Sequence, residues 1–109
     1  MRLETALRRK FPDTLPSGVV LARRQIRIRG VVQGVGFRPF VHQLAQGMGL
    51  AGYVLNSSAG VTVEVEGAAA VVDRFAERVR SEAPPLAHIE EMAVAEIDPL
   101  GERGFVIRE

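Results

Sequence analysis

The sequence predicts an α+β domain: an antiparallel sheet, two helices on one of its faces, and a short extra strand at the C-terminal end. Three observations carry that prediction. Apolar residues stand at every second position around 25–29 and 61–66, the period of a half-buried strand. Around 39–48 and 68–81 they recur instead at helical spacing. The two kinds of stretch follow one another as β-α-β-β-α-β, separated by glycine, proline and serine.

Composition narrows the possibilities. A chain of 109 residues has room for one core. A net charge of +1 gives no overall pull toward nucleic acid or membrane. No cysteine is present, which removes disulfides, thiolate nucleophiles and cysteine-ligated zinc. His42 and His88 lie far apart and make a poor metal set. No metal and no cofactor are therefore expected. The opening Met1-Arg2-Leu3-Glu4 lacks the apolar core of a signal peptide, and no apolar run is long enough to span a bilayer. A cytoplasmic chain is expected.

Residues 1–22 read as a basic N-terminal extension and linker, partly mobile, ahead of a domain at 23–109. Leu3, Leu7 and Phe11 can share one helical face beside Arg8, Arg9 and Lys10, and Pro12, Pro16 and Gly18 then break regular structure. So short a basic run reads as solvated surface before it reads as a nucleic-acid arm. The first strand is expected over about Arg24 to Val32, with Ile26, Ile28 and Val32 on one face and Arg27 and Arg29 on the other. The first helix is expected from Pro39 to Met48. It buries Phe40, Val41, Leu44, Ala45 and Met48, points His42 to solvent, and stops at Gly49.

The second strand, Gly52–Asn56, and the third, Val61–Glu66, are joined by the turn-rich Ser57-Ser58-Ala59-Gly60, which predicts a hairpin. In the third strand the valines face inward, while Thr62, Glu64 and Glu66 face outward. Gly67 opens a second helix, Ala68 to Ser81, with Val72, Phe75, Ala76 and Val79 as its buried stripe. Pro84-Pro85 rules out its continuation. A fourth strand is expected within Ile89 to Ile97 and a last short one within Gly104 to Ile107. Glu90 and Glu91 read as a solvated strand edge, because adjacent strand residues point to opposite faces. The order is that of the split βαβ, or ferredoxin-like, arrangement, in which the first and third strands are central neighbours.

The stretch with chemistry in it is Gly30-Val31-Val32-Gln33-Gly34-Val35-Gly36-Phe37-Arg38-Pro39, a glycine loop between strand and helix. Glycines let successive backbone N–H groups turn into one concavity, and such a nest beside a helix N-terminus attracts anions, phosphate above all. Arg38, at the junction, carries a planar guanidinium suited to bidentate grip of a phosphate. No Gly-Lys-Ser/Thr follows, so this is not a Walker loop, and Pro39 occupies the place of the third glycine of a dinucleotide fingerprint. A tight turn with no ligand is the competing reading. Asn56, closing the second strand, has a carboxamide that donates and accepts at once, as holding a water in line with phosphorus requires. It serves equally as an ordinary turn residue.

Taken together, Gly30-x-Val32-Gln33-Gly34-Val35-x-Phe37-Arg38 and Gly52-Tyr53-Val54-x-Asn56-x-x-x-Gly60-x-Val-x-x-x-x-Gly67 resemble the acylphosphatase family, over nearly everything from Arg24 onward. The resemblance implies a ferredoxin-like enzyme that hydrolyses the carboxyl–phosphate bond of acyl phosphates. It implies that Arg38 binds phosphate and that Asn56 orients water. It also implies that the backbone amides of Gln33, Gly34, Val35, Gly36 and Phe37 cradle the phosphoryl oxygens. Phe37-Arg38-Pro39-Phe40 and Ala83-Pro84-Pro85-Leu86-Ala87-His88-Ile89 look more narrowly like the N-terminal domain of hydrogenase maturation carbamoyltransferases. That likeness implies carbamoyl phosphate as substrate and the remaining domains of a larger maturation protein as partners. The chain is then an excised domain or a small separate protein. A stand-alone acylphosphatase of broad specificity and a catalytically silent phosphate-binding domain are the alternatives. RNA binding is disfavoured, since the first and third strands carry no aromatic residue to stack on bases.

Overall fold

Strand and helix periods resolve into seven elements in the computed structural model, which describes residues 19–109. In chain order they are β1 (Leu21–Val31), α1 (Phe37–Gly47), β2 (Ala51–Ser57), β3 (Gly60–Ala68), α2 (Ala69–Ser81), β4 (His88–Ile97) and β5 (Phe105–Ile107). One sheet holds all five strands in the order β4-β1-β3-β2-β5. β1 is antiparallel to both β3 and β4, and β2 is antiparallel to β3, so β1 and β3 are the central neighbours expected. The short last strand adds to β2 in parallel, with Gly52 opposite Phe105. The fold is ferredoxin-like.

Both helices cover the same face, α1 over β2 and β5, α2 over β1 and β3. The alternating residues of the central strands (Ile26, Ile28, Val61, Val63 and Val65) meet Val41 and Leu44 of α1 and Val72, Phe75 and Val79 of α2 in one buried cluster. Burying each such side chain contributes about 1.5–3 kcal/mol. Among the described residues, no helix is long and apolar enough to cross a membrane.

Four local expectations are corrected. β1 begins at Leu21, three residues before Arg24, because Leu21 is itself buried and β3 is long enough to pair with it. Residues 1–18 of the expected extension lie outside the described residues. α1 opens at Phe37, so Pro39 is its third residue. The first helical bond there is Phe40 N–H to Gly36 O at 3.2 Å, and Pro39 still occupies a position whose N–H has no intrahelical acceptor. His42 is half-buried, its ring 6.2 Å from that of Phe105, because β5 brings Phe105 under the helix.

The fourth correction concerns Glu66, which is sealed in, only 2 % exposed. It lies on the sheet face away from the helices, as alternation requires, but the segment around 98–104 folds over that end of the face. The Leu100 and Gly101 N–H groups donate to its carboxylate at 2.7 and 3.0 Å. Arg23, 1 % exposed, lies opposite it and donates to Glu66, Glu64 and Glu102. The Tyr53 hydroxyl donates to Glu64 at 2.6 Å, and the Arg108 guanidinium stacks 3.9 Å over the Tyr53 ring.

Candidate active site

The loop between β1 and α1 is pinned at both ends by apolar burial. Val32 before it and Phe37 after it are each 1 % exposed, and Phe37 packs against Phe40 with ring centroids 5.7 Å apart. Between these anchors Gly34 and Gly36 adopt left-handed backbone, with φ of 73° and 78°. Side chains with a Cβ enter that region only at a cost. The alternation of hand turns the peptide N–H groups of 33–38 away from the chain's own carbonyls. Among the described residues, none of these amides donates to an acceptor of the protein. Unpaired backbone donors gathered at the positive end of a helix favour an anion on physical grounds.

Charge placement points the same way. The first turn of α1 has no acidic residue and instead carries Arg38, a cation at the end of the helix dipole that disfavours cations. Arg38 is half-buried, and among the described residues its side chain makes no hydrogen bond or ion pair. Arg23 and Arg24, by contrast, are both paired, the latter with Asp73 and Glu96. An anion beside Arg38 would reverse that local disadvantage.

Asn56 stands at the same end of the sheet as the loop, because Arg29, near the end of β1, and Ser57, the last residue of β2, both pair with Gly60, the first residue of β3. Alternation along β2 places Asn56 on the side of Val54, the helix-covered face, one row beyond the core and exposed. It pairs with Val61, whose other neighbour is Ile28. Its carboxamide makes no hydrogen bond among the described residues. The hairpin turn is tighter than expected, with only Ser58 and Ala59 between the strands.

Gln33 was expected to contribute its backbone amide alone. Its side chain does more. The Nε2 group donates to Ser57 O and to Gly60 O, at 2.9 Å each, and so ties the loop to the β2–β3 hairpin. The only polar side chain in a loop otherwise made of glycine and valine was the available signal in the sequence.

A separate apolar cleft of about 430 Å³ opens at the opposite end of the sheet, between Leu21, Met48, Leu50 and Val71. It contains none of the loop residues, and its chemistry is that of a crevice between core elements. The exposed loop, not this cleft, carries the backbone donors without partners among the described residues.

A ferredoxin-like sandwich whose first strand-to-helix loop presents amides and an arginine without partners among the described residues has the features of an anion-handling α+β domain. The chain belongs to the acylphosphatase family of enzymes: the family model Acylphosphatase matches residues 24–107. It is 53 % identical over 87 residues to Carbamoyltransferase HypF of Rhizobium leguminosarum bv. viciae, a match covering 80 % of this chain and 11 % of the relative. Thus the chain spans about a tenth of the length of that relative. Among solved structures it resembles full-length HypF in the phosphate- and nucleotide-bound form, with a TM-score of 0.83, 38 % identity, and coverage of 87 % of this chain and 13 % of that one. It also resembles acylphosphatase from Bacillus subtilis, with a TM-score of 0.75, 35 % identity, and coverage of 83 % of this chain and all of that one.

Proposed function

We propose that the domain hydrolyses the carboxyl–phosphate bond of acyl phosphates at the β1–α1 loop, with carbamoyl phosphate as its substrate inside a [NiFe]-hydrogenase maturation carbamoyltransferase. The observation that carries the site is the run of amides at 33–38, free among the described residues, closing on Arg38. The choice of carbamoyl phosphate rests on the likeness to HypF, whose name gives it as a carbamoyltransferase.

Few catalytic groups are needed for this reaction. The bond from phosphorus to the acyl oxygen breaks, and its electron pair leaves on a carboxylate or carbamate, a weak base that needs no general acid. A water oxygen bonds to phosphorus from the opposite side, and its proton passes to a phosphoryl oxygen of the substrate. Phosphoryl transfer of this kind depends on positioning and on charge stabilisation. The loop amides and Arg38 offset charge on the equatorial oxygens. Asn56 accepts from the attacking water and holds it in line.

The test is hydrolysis of carbamoyl phosphate beside an aromatic acyl phosphate, with Arg38→Ala and Asn56→Ala as controls. Arg38→Ala is expected to lose phosphate binding. Asn56→Ala is expected to keep binding and lose turnover. A preference for carbamoyl phosphate supports the maturation role, and indifference between substrates favours a broad acylphosphatase. Phosphate binding without turnover in the unaltered domain would overturn the activity and leave a silent anion-binding module.

A further inference from the structure

We propose that the Gln33 carboxamide is a positioning residue that sets Asn56 against the phosphate loop. This rests on the acyl phosphate reading above. Its two N–H bonds do not go to one strand. They go to Ser57 O and Gly60 O, the carbonyls on either side of the Ser58–Ala59 turn, at 2.9 Å each. A single donor group therefore grips both legs of the hairpin at its tip. Ser57 is the residue directly after Asn56 and is paired with Gly60, so the grip fixes the end of β2 in the frame of the loop.

The arrangement answers a mechanical need. Arg38 and the loop amides are held by the burial of Val32 and Phe37. Asn56 belongs to a different element, one row beyond the buried part of β2, and although its backbone pairs with Val61, its exposed side chain makes no hydrogen bond among the described residues. A water held by Asn56 is useful only if it lies in line with a phosphorus held by the loop, and misplacement by an ångström costs on the order of 10²-fold in rate. Among the described residues, Gln33 provides the side-chain hydrogen bonds that join the two parts at this end of the sheet. Neither bond uses the Gln33 backbone N–H, which stays available to the cradle.

Gln33→Met keeps the length and neutrality of the side chain and removes both donors. Turnover, KM and inhibition by inorganic phosphate are measured for the unaltered domain, Gln33→Met, Asn56→Ala and the double variant, with thermal unfolding of each. Gln33→Met is expected to lower kcat by on the order of 10-fold or more, while affinity for inorganic phosphate holds. In the Asn56→Ala background the same substitution should lower the residual rate no further. A part that merely held the fold together would cost the same in both backgrounds. Unchanged kcat in Gln33→Met, equal losses in the two backgrounds, or loss of phosphate affinity together with kcat would each overturn the inference. An unaltered domain without turnover sinks the activity itself, and this inference with it. An active domain indifferent to Gln33→Met sinks the inference alone.

Discussion

Arg23 and Glu66 face each other across the β1–β3 pair, 3.2 Å from Nη1 to Oε1, each with a side chain at most 1 % exposed. Two charges removed this far from water persist because every remaining donor and acceptor has a use. Arg23 also reaches Glu64 and Glu102, and Glu66 accepts from the Leu100 and Gly101 amides. Among the described residues, no buried side-chain polar atom is left without a partner.

Arg23→Met should therefore destabilise strongly, by about 3–5 kcal/mol, because it strands the Glu66 charge rather than merely deleting a contact. Urea unfolding monitored by circular dichroism checks this. The cluster lies at the end of the sheet away from the loop, so turnover per folded molecule should be unaffected.

The same cluster gives stability a pH dependence on both flanks. Burial pushes the Glu64 carboxyl up, but the Tyr53 hydroxyl and the Arg23 guanidinium outweigh it and hold the group below its ordinary value of 4.5. A lowered carboxyl stabilises fully above that ordinary value and loses its contribution as pH falls through the lower folded one. Burial and the bond to Glu64 push the Tyr53 phenol above 10.0, so its contribution is complete below pH 10 and is lost as pH rises through the folded value. The urea midpoint should fall on the acid side below pH 4.5, and Glu64→Gln should flatten that limb.

Gly36→Ala tests whether loop conformation matters apart from loop chemistry. A Cβ there meets nothing within 4 Å, so no clash is introduced. At φ 78° and ψ 18° the alanine nevertheless costs roughly 1–2 kcal/mol. The expected outcome is weaker inhibition by inorganic phosphate, measured in the acyl phosphate assay, with only a modest fall in thermal stability.

Phe105→Ala should cost about 3–5 kcal/mol, the range for truncating a buried aromatic. Phe105 is the buried residue of the three that make β5, and it also supports His42 of α1. The backbone bonds on either side, Gly52 N–H to Gly104 O and Arg108 N–H to Val54 O, should then open. Amide hydrogen exchange at Gly52 and Arg108 reads this directly.

Most of the fold was legible because the two periods are clean. The valines of β3 and the helical stripes of Val72, Phe75 and Val79 all reach the core as patterned. What escaped detection lay where one element covers another from a distance in the chain. Period two assigns Glu66 its face correctly, yet cannot tell an open face from one roofed by residues 98–104. Arg23 was given no role for the same reason, since its three carboxylate partners lie 41 to 79 positions away. His42 was read as solvated because its neighbour Phe105 belongs to a short strand far downstream. At the candidate site, the loop and Arg38 could be picked out by residue type and spacing. The Gln33 side chain stood out there as the one polar group, but its acceptors could not be read, because they are backbone carbonyls, which any sequence supplies.

The pairing of β1 also sets when this site can exist. Arg23 lies opposite Glu66 on one side and Ile97 on the other, so the strand that leads into the loop finds both neighbours only after residue 97 has left the ribosome. At ~5–20 residues per second of synthesis, that is a wait of several seconds with one edge of a central strand unpartnered. Contacts this distant in sequence also close slowly, in milliseconds to seconds, once they become possible. The residues of the β1–α1 loop are thus translated well ahead of β4, the strand that completes the pairing of β1.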